Sequence, residues 1–333
     1  MSKQPNIPTR LYKYRAFSNR LLDMLVDDEL YYANPSDFND PLDSRPTLAA
    51  DLDVHQLEQL LSRLVEQRTK EEMTAAAKAI KYRGPRTIDH IARHSRTKAD
   101  QLVREVEYAA GNPIYEVMDP HKFLLGRYLE EELLRRYDRG IVSFGSRATC
   151  PLMWSHYGDQ HRGICAGYSV PADATDQLHK INYGGSRNVR ASDVAVMDTD
   201  TDARRRVDEA VLLRKAASWR YEREWRLIGT RGSQPSRLEL EEVVFGIRCK
   251  PTVKFAIVKA LENRRRPVQF SEMHEVSGTF LLRKRRLDVD ELGMSLPRRS
   301  RDALEAFENL DIPLPPKPHD DTTGRPQTAE PQL

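Results

Sequence analysis

Gly140-Ile141-Val142-Ser143-Phe144-Gly145-Ser146 and Gly163-Ile164-Cys165-Ala166-Gly167-Tyr168-Ser169-Val170 are the two stretches whose reading decides the fold. Both are short, rich in β-branched and aromatic residues and bounded by glycine, which marks strands rather than helices. Upstream the period is different. Leu57, Leu60, Leu61, Leu64 and Val65 recur at i, i+3, i+4, i+7 and i+8, the stripe of an amphipathic helix, and Asp53 with Gln56 supplies a capping-box start. Further helical runs are expected over 70–81, 98–108 and 121–137, the last burying Phe123, Leu125, Tyr128, Leu129 and Leu133.

Working outward, residues 10–15 and 29–33 read as strands with a short helix over 19–25 between them, a β-α-β start. Residues 34–41 are dense in Asn, Asp, Ser and Pro, so they form a loop whose side chains bond their own backbone, with Phe38 as its one large apolar anchor. Later strands are expected at 225–230, 238–245 and near Val268 and Phe280. A helix over 252–263 follows Pro251 at its first position. The pattern predicts an α+β protein. Its core is contributed by 1–50 and 139–311, interrupted by a helical insertion over 51–138 and followed by a proline-rich, disordered tail over 312–333.

Composition narrows the function classes. The chain has 333 residues, 31% of them charged and 39% hydrophobic, which suits a folded domain rather than a disordered chain. The N-terminus lacks the apolar core of a secretory signal, and no apolar run approaches the roughly 18 residues of a membrane span, so a cytoplasmic protein without a membrane partner is expected. Cys150, Cys165 and Cys249 are odd in number and lack CxxC spacing, which argues against a disulfide framework and a thiolate zinc site. Net charge is only +3, yet basic residues cluster at 204–206, 264–266, 283–286 and 298–301. Acidic residues are interspersed, so these clusters read either as solvated helix faces or as phosphate-tracking surfaces.

Two stretches concentrate chemistry. In Trp219-Arg220-Tyr221-Glu222-Arg223-Glu224-Trp225-Arg226, a strand or its entry would set Glu222 and Glu224 side by side. Such a pair repels itself unless a cation or substrate uses it, or unless Arg220, Arg223 and Arg226 neutralise it on a surface strand. In Met153-Trp154-Ser155-His156-Tyr157-Gly158-Asp159-Gln160-His161, polar groups crowd against the buried strand that follows. They line a cleft or satisfy one another. His156 is a candidate general base or a satisfied residue packed against Trp154. A hard cation held by His156, His161, Asp40, Asp43 and the two glutamates is disfavoured, because the histidines are five apart rather than four. No Gly-x-Ser-x-Gly elbow supports Ser143 or Ser155 as a hydrolase nucleophile.

Leu11-Tyr12-Lys13-Tyr14-Arg15, Phe38-Asn39-Asp40-Pro41 with Asp43, Met153-Trp154-Ser155-His156-Tyr157-Gly158 with His161 and Gly163, and Tyr221-Glu222-x-Glu224-Trp225-Arg226 together resemble the bacterial family catalogued as domain of unknown function 2971. The pattern runs over residues 11 to about 285. That family implies no activity by itself.

A more distant resemblance is to ADP-ribosyltransferases: an early strand with Tyr and Arg, a Ser-Phe-x-Ser strand followed by a Trp helix, and a Glu-x-Glu strand. It implies a mixed, strongly bent β-sheet core and NAD as substrate, with no metal. Carried over, Arg15 contacts phosphate or ribose, Ser143 braces the pocket and Glu222 positions the acceptor. Glu224 is the catalytic carboxylate, with His156 beside it, and Tyr14, Trp154 and Tyr157 complete the cofactor pocket. Gly145 replaces a hydroxyl residue of the serine motif. The resemblance implies an NAD-consuming effector of the toxin or phage-defence kind that passes ADP-ribose to a macromolecular acceptor or to water. Two further readings stay open, a non-catalytic effector that binds nucleic acid or protein, and a metal-dependent nuclease.

Overall fold

The computed structural model describes residues 7–82, 84–137, 139–302 and 305; the expected tail over 312–333 lies outside the described residues. The protein is α+β. β1 (Leu11–Arg15) is followed by α1 (Asn19–Val26), whose first turn is capped by Ser18 accepting the Leu21 N–H, and by β2 (Glu29–Tyr32). β3 (Thr47–Ala49) leads into α2 (Val54–Ala79), α3 (Thr87–Ala110) and α4 (Pro120–Arg136). Next come β4 (Gly140–Phe144), α5 (Pro151–Tyr157) and β5 (Ile164–Ser169). The chain continues through β6 (Leu178–Lys180), β7 (Asn182–Tyr183), β8 (Asn188–Arg190), α6 (Ala191–Val196), α7 (Thr201–Leu212) and β9 (Arg214–Lys215). β10 (Trp225–Gly229), β11 (Gly232–Pro235), β12 (Glu239–Phe245), α8 (Pro251–Leu261), β13 (Gln269–Glu275), β14 (Leu282–Arg286) and α9 (Val289–Ser295) complete it. Among the described residues, those up to Val289 form one compact unit and those from Asp290 onward belong to a second. No helix among the described residues is long and apolar enough to cross a membrane.

The largest sheet has the order β1-β5-β12-β13-β14 and is mixed: β12 and β13 run parallel, joined by the crossover helix α8, and the other neighbours are antiparallel. Side chains alternate across it as a pleat requires. Leu11, Ile164, Ala166, Val243 and Phe245 belong to the apolar cluster that also holds Leu21 and Leu25 of α1 and Ile257 of α8. Tyr14, Cys165, Val244 and Met273 form a second cluster with Trp154 of α5.

The second sheet, β4-β10-β6, is antiparallel. Single bridges from Gly145 to Tyr12 and from Ile141 to Ala33 tie its β4 edge to β1 and to the end of β2. A cavity lies along that seam.

Three local expectations change, the first being that Phe123, expected in the buried stripe of 121–137, is exposed while Leu124 is buried. β1, α1 and β2 follow in order but do not make a βαβ unit, because β1 pairs antiparallel with β5 and β2 with β11. The connection through α1 carries the chain to a different sheet, so the two strands never become neighbours. The helix expected over 70–81 is the second half of α2, which runs unbroken from the capping box at Asp53 and Gln56. Its apolar stripe, with Leu125, Leu129 and Leu133 of α4, shares one cluster with Ile141 of β4 and with Val207 and Val211 of α7.

Candidate functional site

The site is built on a left-handed turn. A 3-10 turn over Ala217–Glu222 ends at Arg223, whose φ of 47° and ψ of 51° place it in the αL region, and β10 starts only at Trp225. The Glu-x-Glu pair therefore lies in the entry to the strand, the second of the two placements that the sequence allowed. The two carboxylates are brought together by a kink and a shared cation, not by strand alternation. The Tyr183 hydroxyl accepts the Glu224 N–H at 2.7 Å and holds the kink.

Lys215 of β9 is that cation. Its Nζ lies 2.6 Å from Glu222 Oε2, 3.0 Å from Glu224 Oε2 and 3.3 Å from Asp43 Oδ2. Arg226 of β10 donates through Nε to Glu224 Oε1 at 2.7 Å, through Nη2 to both oxygens of Asp43, and through Nη1 to the Ser44 hydroxyl and the Leu212 carbonyl. Tyr157 of α5 donates to Glu222 Oε1 at 2.7 Å. Glu222 and Glu224 are 4% and 3% exposed and Arg226 is wholly buried, so these charges work in a low-dielectric interior. Of the three arginines expected to neutralise a surface pair, only Arg226 reaches the carboxylates; Arg220 and Arg223 are exposed.

Burial and neighbours divide the titrations. Burial disfavours charge on Lys215, but Glu224, Glu222 and Asp43 outweigh it and raise its pKa. Burial opposes the charge on Glu224 as well, yet Arg226 and Lys215 prevail and lower it. For Glu222 burial wins over Lys215, and the charge of Glu224 adds to it, so this carboxyl titrates above the usual carboxylate range. Tyr157 is raised by burial and by the Glu222 carboxylate that its hydroxyl bonds.

The Asn34–Asp43 loop walls the site. Asn34 Oδ1 accepts the Ser36 N–H at the start of a 3-10 turn over Pro35–Asp37, and Asp40 accepts the Leu42 N–H and, at 2.7 Å, the Trp219 indole N–H. The side chains thus satisfy the loop's own backbone, as its composition implied. Phe38 is the expected anchor: its ring faces the Arg226 guanidinium at 5.5 Å and packs on the helical cluster.

A cavity of about 320 Å³ opens over this network, within the range of roughly 300–1,000 Å³ typical of small-molecule sites. Six of the eight residues singled out from sequence line it: Tyr14, Arg15, Ser143, Tyr157, Glu222 and Glu224. Tyr14 also donates to the Arg147 carbonyl and meets Trp154 edge-on. Trp154 does not line the cavity; it is fully buried and its indole N–H donates to the Ala148 carbonyl at 2.7 Å. His156 is exposed and packs its ring against Trp219 and Tyr221 outside the cavity. It is His161, not His156, that stacks on Trp154.

Two contributors escaped the sequence reading: Lys13 sits inside a quoted motif but carried no signal of its own, and Lys215 lies in a stretch with no motif at all. Asp43 was weighed only as a ligand of a hard cation, whereas the structure pairs it with Lys215 and Arg226. No group of three or more His, Cys, Asp or Glu among the described residues is arranged to hold a metal ion. Asp43, Glu222 and Glu224 face Lys215 and Arg226 instead.

No curated protein and no solved structure matches the chain. The resemblance to ADP-ribosyltransferases expected from the sequence finds no support in these comparisons. A family model does match, over 153–227, a stretch that starts in α5 and ends in β10 and so contains Trp154, Tyr157, Lys215, Glu222, Glu224 and Arg226, while the β1 and Asn34–Asp43 segments fall outside it. Over those residues the chain is similar to the family described as protein of unknown function DUF2971.

Proposed function

We propose that the cavity binds an anionic nucleotide and cleaves its glycosidic bond, with NAD as the substrate and ADP-ribose passed to a macromolecular acceptor or to water. The observation that supports this reading is the convergence of Glu222, Glu224, Ser143 and Arg15 on one cavity, with Lys215 fixing both carboxylates. When nicotinamide departs with the bonding electrons, positive charge develops on the ribose. A fixed carboxylate beside it stabilises the transition state more than the ground state.

The geometry favours Glu222 over Glu224 as the carboxylate that meets the sugar. Glu224 is committed to Arg226 and Lys215, whereas Glu222 has a single donor at each oxygen, Tyr157 and Lys215. Glu224 then acts through Lys215 and Arg226 as a positioning residue. Arg15, at the exposed end of β1, suits a phosphate.

The test is nicotinamide release from NAD by the purified protein, with Glu222→Gln and Glu224→Gln as variants and circular dichroism to confirm folding. Loss in a folded Glu222→Gln variant supports the reading. Undiminished release from that variant, or none from the unaltered protein with candidate acceptors present, refutes it.

A second reading is favoured by the saturation of the network, since each oxygen of Glu222 and Glu224 already has a protein donor. In it the charges fix the fold of a non-catalytic effector, and arginine clusters bind phosphates. It calls for nucleic-acid binding that falls steeply with salt and survives Glu222→Gln.

A further inference from the structure

Two lysines line the cavity, in opposite electrostatic surroundings. Lys215 has three carboxylates within 3.3 Å. Lys13 pairs with no carboxylate among the described residues. Its Nζ donates to the Ser143 carbonyl at 3.2 Å and lies 5.3 Å from the centre of the Phe144 ring. A single carbonyl and a ring face replace little of the hydration that an ammonium loses on burial. Burial, reinforced by the charge of Arg15 and opposed by that of Glu224, lowers the Lys13 pKa well below its ordinary value. A desolvated lysine beside another cation is one of the established ways in which proteins activate an amine.

We propose that Lys13 is a reactive amine whose neutral Nζ condenses with an aldehyde or ketone admitted to the cavity, the carbonyl compound carrying an anionic group that Arg15 receives. Lys13 and Arg15 are two apart on β1, so they project from the same side of the strand, and both line the cavity. Arg15 is exposed at the strand end and has no carboxylate partner among the described residues. The reactive amine thus sits deep and the anion receptor at the mouth.

The chemistry balances without an oxidant or reductant. The Nζ lone pair bonds to the carbonyl carbon, the π pair moves to oxygen, and a proton transferred from nitrogen makes the carbinolamine. Loss of water, with the second nitrogen-bound hydrogen, leaves a C=N bond. This step requires no NAD and goes beyond the glycosidic reading.

The experiment uses glyoxylate, a small aldehyde with a carboxylate, together with cyanoborohydride at neutral pH and without NAD. The hydride converts any imine to a stable secondary amine, and peptide mapping gives the labelling rate at each lysine. Lys13 is expected to label at least about tenfold faster than exposed Lys180, because each unit by which a pKa is lowered multiplies the neutral amine about tenfold. Inorganic phosphate should slow the Lys13 reaction selectively, and Lys13→Met should abolish the fast phase. Labelling of Lys13 no faster than that of Lys180 overturns the proposal. That rate is read in the unaltered protein, so the result stands even if the variant does not fold. Nicotinamide release, assayed separately, lets the two proposals fail independently.

Discussion

Nη2 of Arg226 lies 2.8 Å from Oδ1 and 2.7 Å from Oδ2 of Asp43, although the two residues are 183 positions apart in the chain. The contact pins the loop that walls the cavity to the strand that follows the carboxylate pair. Both partners are buried, Arg226 wholly and Asp43 at 6% exposure. Breaking such a pair from one side strands a charge in a medium that solvates it poorly. Asp43→Ala is expected to cost about 3–5 kcal/mol in urea unfolding, as one-sided loss of buried ion pairs does. A loss under about 1 kcal/mol would show that water reaches Arg226 in place of the carboxylate.

Lys215→Met should make stability depend on pH in a predictable direction. Without the ammonium, Glu222 and Glu224 lose the cation they share, and the protonated forms are favoured in the folded state. Glu222, already raised in the folded state, rises further, while Glu224 keeps Arg226, so the variant should lose stability as pH rises through the range of Glu222, beyond any loss in the unaltered protein. Unfolding series at several pH values test this. Glu222→Gln added to Lys215→Met should recover part of the loss at neutral pH, and no recovery would mean that the carboxylates do not repel each other.

Glu242 gives an acid limb away from the cavity. Burial opposes its charge, but Lys284 and Arg10, with the Tyr12 hydroxyl, lower its pKa below the ordinary 4.5. A depressed carboxylate contributes stability that is present above the unfolded value and lost as pH falls through the folded one. The unaltered protein should therefore lose stability on acidification below about 4.5. Glu242→Gln should flatten that dependence while lowering stability at neutral pH.

Tyr157→Phe should move the acid limb of nicotinamide release to higher pH. In the proposed reaction release requires the Glu222 carboxylate form, and Glu222 already titrates high because burial outweighs Lys215. The Tyr157 hydroxyl bond opposes that rise, so removing it raises Glu222 further. A profile unchanged in position would place the titrating group elsewhere.

Gly163→Ala should destabilise through backbone contact alone. A Cβ at Gly163 would fall 2.2 Å from the Arg15 carbonyl oxygen, where no flexible side chain can move aside. Relief requires the backbone of Arg15 or of the turn before β5 to shift, at about 1–3 kcal/mol by analogy with overpacked cores. Thermal unfolding checks the cost. Weaker phosphate competition in the glyoxylate assay would report that Arg15 has shifted.

Much of the architecture was legible locally. The capping box at Asp53 and Gln56, the α2 stripe, Pro251 at the start of α8 and the glycine-bounded strands β4 and β5 all follow from interactions within a few residues, so periodicity and composition determined them. The Asn-, Asp- and Pro-rich loop was legible for the same reason, since Asn34 and Asp40 bond backbone two residues away. The site was legible in part: Glu222 and Glu224 carried a signal because like charges side by side need an explanation. Which cation answers them did not follow, because Lys215, Asp43 and Arg226 meet only when β9, the loop and β10 pack together. Tertiary structure likewise decided that Arg223 adopts a left-handed turn, that His156 lies outside the cavity and that Lys13 is buried with no carboxylate partner among the described residues. Charges interact through space over a few ångströms, and the order of residues along a chain fixes such distances only where the elements that carry them are adjacent.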